Sequence, residues 1–356
     1  MQNYDVQYKT KEHAVDELAK YLYGVIGLTG NLAGAPIASD DKGNRIYTIG
    51  YKDIACVVSD STGADSGPAD KEALMRHLIS HQSVMEKVMA VNTIIPVKIG
   101  TRLAAAKDVE GALAWGYAEF STRLKAFEGK VEAEVTALWS DINGVIKRIA
   151  EEDPEIRDLK NMISSSPARD NRAERIKIGS MIKDGLDWER ERIHGEALRS
   201  LKRYAVDTVD RDPADEKVVM SCAFLLEKEG MDAFYSTLEE LSGRFGGMLN
   251  FKCVSPLPAY SFSAIKIKKV GYDDLLRAKE MLGLGEQARI DDIRAAYRRE
   301  ALKYHPDNDR ADPDLGARFE AITKAHHLLK KYCQGSSCSF KEDAFELFFI
   351  VEPLMS

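Results

Sequence analysis

"IDDIRAAYRREALKYHPD", Ile290–Asp307, decides how the C-terminal part of this chain is built. Ile290, Ile293, Tyr297, Ala301 and Tyr304 recur at spacings of three, four, four and three, the apolar stripe of one helix face. Arg294, Arg298, Arg299 and Lys303 stand around the rest of that helix, and between 294 and 303 only Glu300 opposes them. Pro306 disfavours a helical conformation at His305, so the helix is predicted to stop there. Beyond "NDRADPD" a second stripe begins, with Leu315, Phe319, Ile322, His326 and Leu329 at four, three, four and three. Ahead of both lies "YDDLLRAKEMLGLG", a short helix closed by Gly283. The pattern predicts an antiparallel helical hairpin with an exposed His-Pro-Asp loop over residues 271–333.

The remaining chain has a different texture. Its 356 residues suffice for two or three domains, and 44% hydrophobic with 30% charged residues is the make-up of a soluble globular protein. A net charge of -7 argues against nucleic-acid binding by the molecule as a whole. No stretch approaches the roughly 20 apolar residues that span a bilayer, and "MQNYDVQYKTKEH" has no apolar core of a secretory signal. Five cysteines without a CxxC are expected to be free thiols in a reducing cytoplasm.

Residues 1–103 read as an α+β domain. "YLYGVIGLTG" is a buried strand, "NRIYTIGYKDIACVVSDS" a hairpin turning at Gly50–Asp53, and "NTIIPVKIGTRL" an edge strand marked by Pro96. Between them Leu74, Leu78, Val84, Met85 and Val88 give a helix its apolar face. From 104 to 214 Ala, Glu, Lys and Arg dominate, which predicts a connector of long, solvated helices. Residues 215–270 form a second α+β unit: strand "VVMSCAFLLE", helix "MDAFYSTLEELSGRFGG", then two strands around "SPLPAYSF". The tail, 334–356, contains the dense run Phe345–Val351, expected to form a strand or turn packed on that second unit. Burying such a run is worth roughly 1.5–3 kcal/mol per large side chain.

Other constellations carry less. His326, His327, Cys333 and Cys338 lie close in sequence but without a zinc-ligand spacing, and His326 belongs to the apolar stripe. His77 and His81 are one helical turn apart without HExxH, so His81 is read as structural. "GLGEQA" follows a helix where a dinucleotide loop would follow a strand. No GxSxG, P-loop or paired catalytic acids occur, so no enzyme activity, cofactor or metal is expected.

Two resemblances join these readings. "YLYGVIGL", "HQSVMEKVM", "NTIIPVKIGTRL", "DPEIRDLK", "VVMSCAFLLEKEGMDAFYSTLEEL" and "SPLPAYSF" occur in the order seen in the gas vesicle protein GvpL/GvpF family, from about Lys20 to Phe262. "AKEMLGL", "IRAAYRREALKYHPD" and "RFEAITKAHHLL" resemble the first three helices of a DnaJ-type J domain. The resemblance implies two small ferredoxin-like α+β units joined by helices, plus an all-α J domain. It further implies a cytoplasmic assembly factor at the gas vesicle, with the apolar shell protein and other gas vesicle accessory proteins as partners. A DnaK-type chaperone would dock on His305, Pro306, Asp307, Arg294, Arg298, Arg299 and Lys303. Asn308 and Asp309 replace the lysine that usually follows HPD, and the basic fourth helix is short or missing in "KKYCQGSSCS". A general co-chaperone with an unrelated client-binding front half is the alternative.

Overall fold

Nine residues, Ala19–Gly27, make β1, the strand around which the first sheet assembles. In the computed structural model residues 18–28, 36–39, 44–61, 71–165, 170–213, 215–305, 313–333, 335 and 337–354 are described. Contacts divide the chain into two units, Met1–Ala126 together with Ala264–Met355, and Phe127–Ser263.

In the first unit β2 (Pro36–Ser39), β3 (Arg45–Tyr51), β4 (Ile54–Ser61), α1 (Lys71–Met89), β5 (Ile94–Pro96) and β6 (Arg102–Leu103) follow β1. The antiparallel sheet runs β2-β3-β4-β1-β5, with β6 also on β1, so Pro96 sits on the edge strand its missing N–H requires. Residues 21 to 26 of β1 are all buried, because helices cover both sheet faces. On one face Tyr21 hydrogen-bonds His81 Nδ1 of α1 at 2.9 Å, and Tyr23 stacks on the same imidazole. His81, Val84, Met85 and Val88 form the buried side of α1, whereas Leu74, predicted on that side, is 43% exposed. The other face is covered by α2 (Ala106–Trp115) and α3 (Tyr117–Ala126), through Val109, Ala112, Leu113 and Phe120. Gly24 permits the close approach of β5: a Cβ there would lie 2.6 Å from Ile94 Cγ1 and 2.8 Å from the Ile95 carbonyl.

The second unit corrects the predicted helical connector of 104–214. That span contains β7 (Lys130–Trp139), a central strand, as well as α4 (Ile142–Glu152), α5 (Pro154–Ser165), α6 (Arg172–Lys202) and β8 (Ala205–Asp210). They continue into β9 (Val218–Glu227), α7 (Met231–Arg244), β10 (Leu249–Leu257) and the short α8 (Tyr260–Ser263). The order β10-β7-β9-β8, antiparallel throughout, is the ferredoxin-like arrangement of a βαββαβ chain. Val131, Ala133, Val135 and Ala137 alternate into a core with Met220, Phe224, Ile193, Ala197 and Phe234. On the reverse side Glu132, fully buried, accepts hydrogen bonds from the Ser261 amide (2.8 Å) and hydroxyl (2.7 Å).

The chain then returns to the first unit. β11 (Ile265–Val270) leads into α9 (Tyr272–Met281), β12 (Gln287–Arg289), α10 (Ile290–Lys303), α11 (Pro313–Tyr332), β13 (Ser337–Ser339) and β14 (Phe348–Pro353). Gly283, at φ 62, ends α9 with its N–H on Glu280 and that of Leu284 on the Lys279 carbonyl. The tail is a strand, pairing with β11 so that Val270 faces Phe348 and Ile265 faces Pro353. The predicted boundary at 270 is corrected, since the ribbon of β11 and β14 belongs to the first unit and not with the second sheet. The reason is that β14 is apolar on both sides. Phe348 and Ile350 enter the core of the three helices with Leu275, Ile293, Ile322 and Leu329. Phe349, pointing the other way, lies against Gly111 of α2, where a Cβ would meet its ring at 2.9 Å. Among the described residues no helix is long and apolar enough to cross a membrane.

Candidate functional site

The hairpin of α10 and α11 is antiparallel, because partners on one helix rise in number as those on the other fall. Tyr297 stacks on His326 with centroids 4.2 Å apart, Arg318 lies over the Tyr304 ring, and His305 meets Phe319 edge-on at 5.5 Å. Ile293 and Ala296 form the buried side of α10, and Ile322, Ala325, Leu328 and Leu329 that of α11. His326, expected within the apolar stripe, is half-buried at its margin, and burial lowers its pKa below the ordinary 6.5. Asp292 accepts the Arg289 amide at 2.8 Å and starts α10.

The predicted cations share the solvent side of α10. The side chains of Arg294, Arg299 and Lys303 are 54%, 53% and 58% exposed. Arg294 pairs with Asp291 at 3.2 Å, and Glu300 takes Arg299 at 2.9 Å and Lys303 at 3.2 Å. Those two cations hold the Glu300 carboxyl below its ordinary value, Arg299 first. Arg299 also donates to the Leu282 carbonyl at 2.9 Å and ties α10 to the end of α9. Arg298 is exposed and has no acidic partner among the described residues, so its charge is available to a visitor. His305 is exposed at the end of this row. Pro306 and Asp307, together with Asn308 and Asp309, lie outside the described residues. Arg318, which lies over Tyr304 from α11, was not singled out from sequence, and the contact of Phe319 with His305 was not foreseen. Phe319 lay in the α11 stripe, but its use as the floor for His305 depends on where the loop returns.

The histidine–cysteine group of 326–338 is dispersed. His327 pairs with Glu352 at 2.6 Å, while the sulfurs of Cys333 and Cys338 both lie at the Ala288 carbonyl, at 3.9 and 3.5 Å. A row of exposed cations on one face of a helix offers charge complementarity and salt-dependent steering to an acidic protein surface.

Comparison with known proteins agrees with this division. The model of the gas vesicle synthesis protein GvpL/GvpF family matches residues 19–264, and that of the DnaJ domain residues 280–334. Gas vesicle protein F of Nostoc sp. is 24% identical over 196 residues, covering 54% of this chain and 79% of that protein. DnaJ homolog subfamily C member 5 of Xenopus laevis is 45% identical over 49 residues, 14% of this chain and 25% of that protein. The crystal structure of gas vesicle protein GvpF from Anabaena sp. superposes with a TM-score of 0.56 at 20% identity, over 69% of this chain and 98% of that one. The two ferredoxin-like units and the three-helix module are thus accounted for, and the chain belongs to the GvpL/GvpF family of gas vesicle synthesis proteins and carries a DnaJ domain near its C-terminal end.

Proposed function

We propose that this protein is a non-enzymatic assembly factor of the cytoplasm that binds the apolar gas vesicle shell protein and recruits a DnaK-type chaperone through its DnaJ domain. Other gas vesicle accessory proteins are further partners in this reading. The observation that carries it is the cationic side of α10, open to solvent and ending at His305, in the same compact unit as the first sheet. Arg298 and its neighbours supply the steering charge, and Asp307 the carboxylate for a partner arginine, the stronger class of hydrogen bond. A subunit apolar enough to build a water-excluding wall is prone to aggregate before assembly. Joining its binder to a chaperone activator raises the local concentration of each for the other.

The test is the steady-state ATPase of a DnaK-type chaperone with the full chain added. Several-fold stimulation is expected, weakening with salt and abolished by His305→Gln at unchanged circular dichroism. Equal stimulation by the substituted protein overturns the chaperone part. Co-purification with the shell protein tests the other part, and stimulation without shell binding leaves a general co-chaperone.

A further inference from the structure

The second unit carries a polar cluster that chaperone docking does not use. His194 on α6, Asp210 at the end of β8 and Cys222 on β9 place one ligand atom each within 4.8 Å of one another. Asp210 and Cys222 are cross-strand partners, and α6 lays His194 over them. His194 Nε2 lies 3.1 Å from Asp210 Oδ1, Cys222 Sγ 3.2 Å from the same oxygen, and Cys222 Sγ 3.9 Å from His194 Nε2. A zinc ion with bonds of about 2.3 Å to sulfur and 2.0–2.2 Å to nitrogen and oxygen separates its ligand atoms by roughly 3.3–3.6 Å. All three edges are within about 0.4 Å of that triangle, so small side-chain adjustments complete it.

We propose that His194, Asp210 and Cys222 bind a zinc ion. Thiolate, imidazole and carboxylate form the borderline-soft donor set that this ion takes. His194 and Asp210 border a cavity of about 320 Å³ that Glu191 and Asp212 also line, so a coordination position on that side is open to water. The nearby cations are committed elsewhere: Arg211 to Glu134 at 2.8 Å, Arg190 to Asp187 at 2.7 Å. In the metal-free site the Cys222 thiol donates its proton to Asp210 Oδ1 at 3.2 Å. Metal entry releases that proton to solvent as the sulfur–metal bond forms. The ion fastens the edge strand β8, hydrogen-bonded on one side to β9, to the long helix α6.

Cobalt(II) titrated into the full chain, followed by zinc competition, is the test. One equivalent is expected to give a thiolate-to-cobalt charge-transfer band that zinc removes. Cys222→Ser abolishes the band, and Asp210→Asn, at a half-exposed position, weakens binding by roughly tenfold or more. Cys253→Ser, which alters the exposed cysteine, leaves it unchanged. Absence of stoichiometric binding overturns the site, as does a band that survives Cys222→Ser. If Cys222→Ser does not fold, unaltered affinity in Asp210→Asn overturns it equally.

Discussion

The two sheets thread their strands in one order, β3-β4-β1-β5 in the first unit and β8-β9-β7-β10 in the second, yet they meet water differently. The first is covered by α1 on one face and by α2 and α3 on the other, and β1 is buried along almost its whole length. The second buries its apolar face under helices, while Lys252, Thr136 and Ser221 form a polar cross-strand row on the reverse. One topology therefore tolerates either a single helical layer or two. The added layer has a use, because α2 receives the β11–β14 ribbon that bears the DnaJ domain. The DnaJ domain is thus anchored through its ribbon to a helix that covers the second face of the sheet.

This contrast can be broken at the ribbon. Phe348→Ala is expected to cost about 3–5 kcal/mol and to act on the first unit alone. In hydrogen exchange, amides of β11, α9 and α10 should lose protection together while β7 and β9 keep theirs. Equal loss in both units would refute the division. Acid should separate the units next. Burial, aided by His77, depresses the folded pKa of His81 from 6.5 to about 4. The unfolded chain binds that proton first, so the first unit loses stability as pH falls from 6.5 towards 4, by on the order of 3 kcal/mol. His81→Phe should flatten that slope in denaturant midpoints measured across the range. Gly24→Ala forces Ile94 and the Ile95 carbonyl away from β1 and should cost about 1–3 kcal/mol, again seen only in the first transition. The smallest effect belongs to Glu132. Burial raises its folded pKa above 4.5, so the folded state takes up this proton first and the second unit gains stability as pH falls towards 4.5. Glu132→Gln should remove that gain and change neutral stability by no more than about 1 kcal/mol. Like slopes in the two units would erase the distinction.

The periodic parts of this contrast were legible in the chain. The stripe of Ile293, Tyr297 and Tyr304, the stop at His305 and the cations of α10 are local features, and the structure places them as expected. β7 was missed because Lys130, Glu132, Glu134 and Thr136 alternate with Val131, Ala133 and Val135, and charged, alanine-rich text resembles a solvated helix. Its central place depends on pairing with β9 and β10, both far along the chain. Leu74 fitted the helical period but is exposed, and His81, one of the helix's buried residues, contacts β1 through Tyr21. His194, Asp210 and Cys222 carry no motif, since only the β8–β9 register and the path of α6 bring them together. The proposed zinc site could not be read from the sequence for that reason.

The facing of Val270 and Phe348 has a practical outcome for anyone rebuilding this molecule. The chain exits at one position and re-enters directly across from it, so residues 271–347 form a cassette whose ends are about 4.5–5.5 Å apart. A tight turn spliced between Val270 and Phe348 would excise the cassette and keep both strands, whereas cutting the chain after Val270 would strip β11 of its partner.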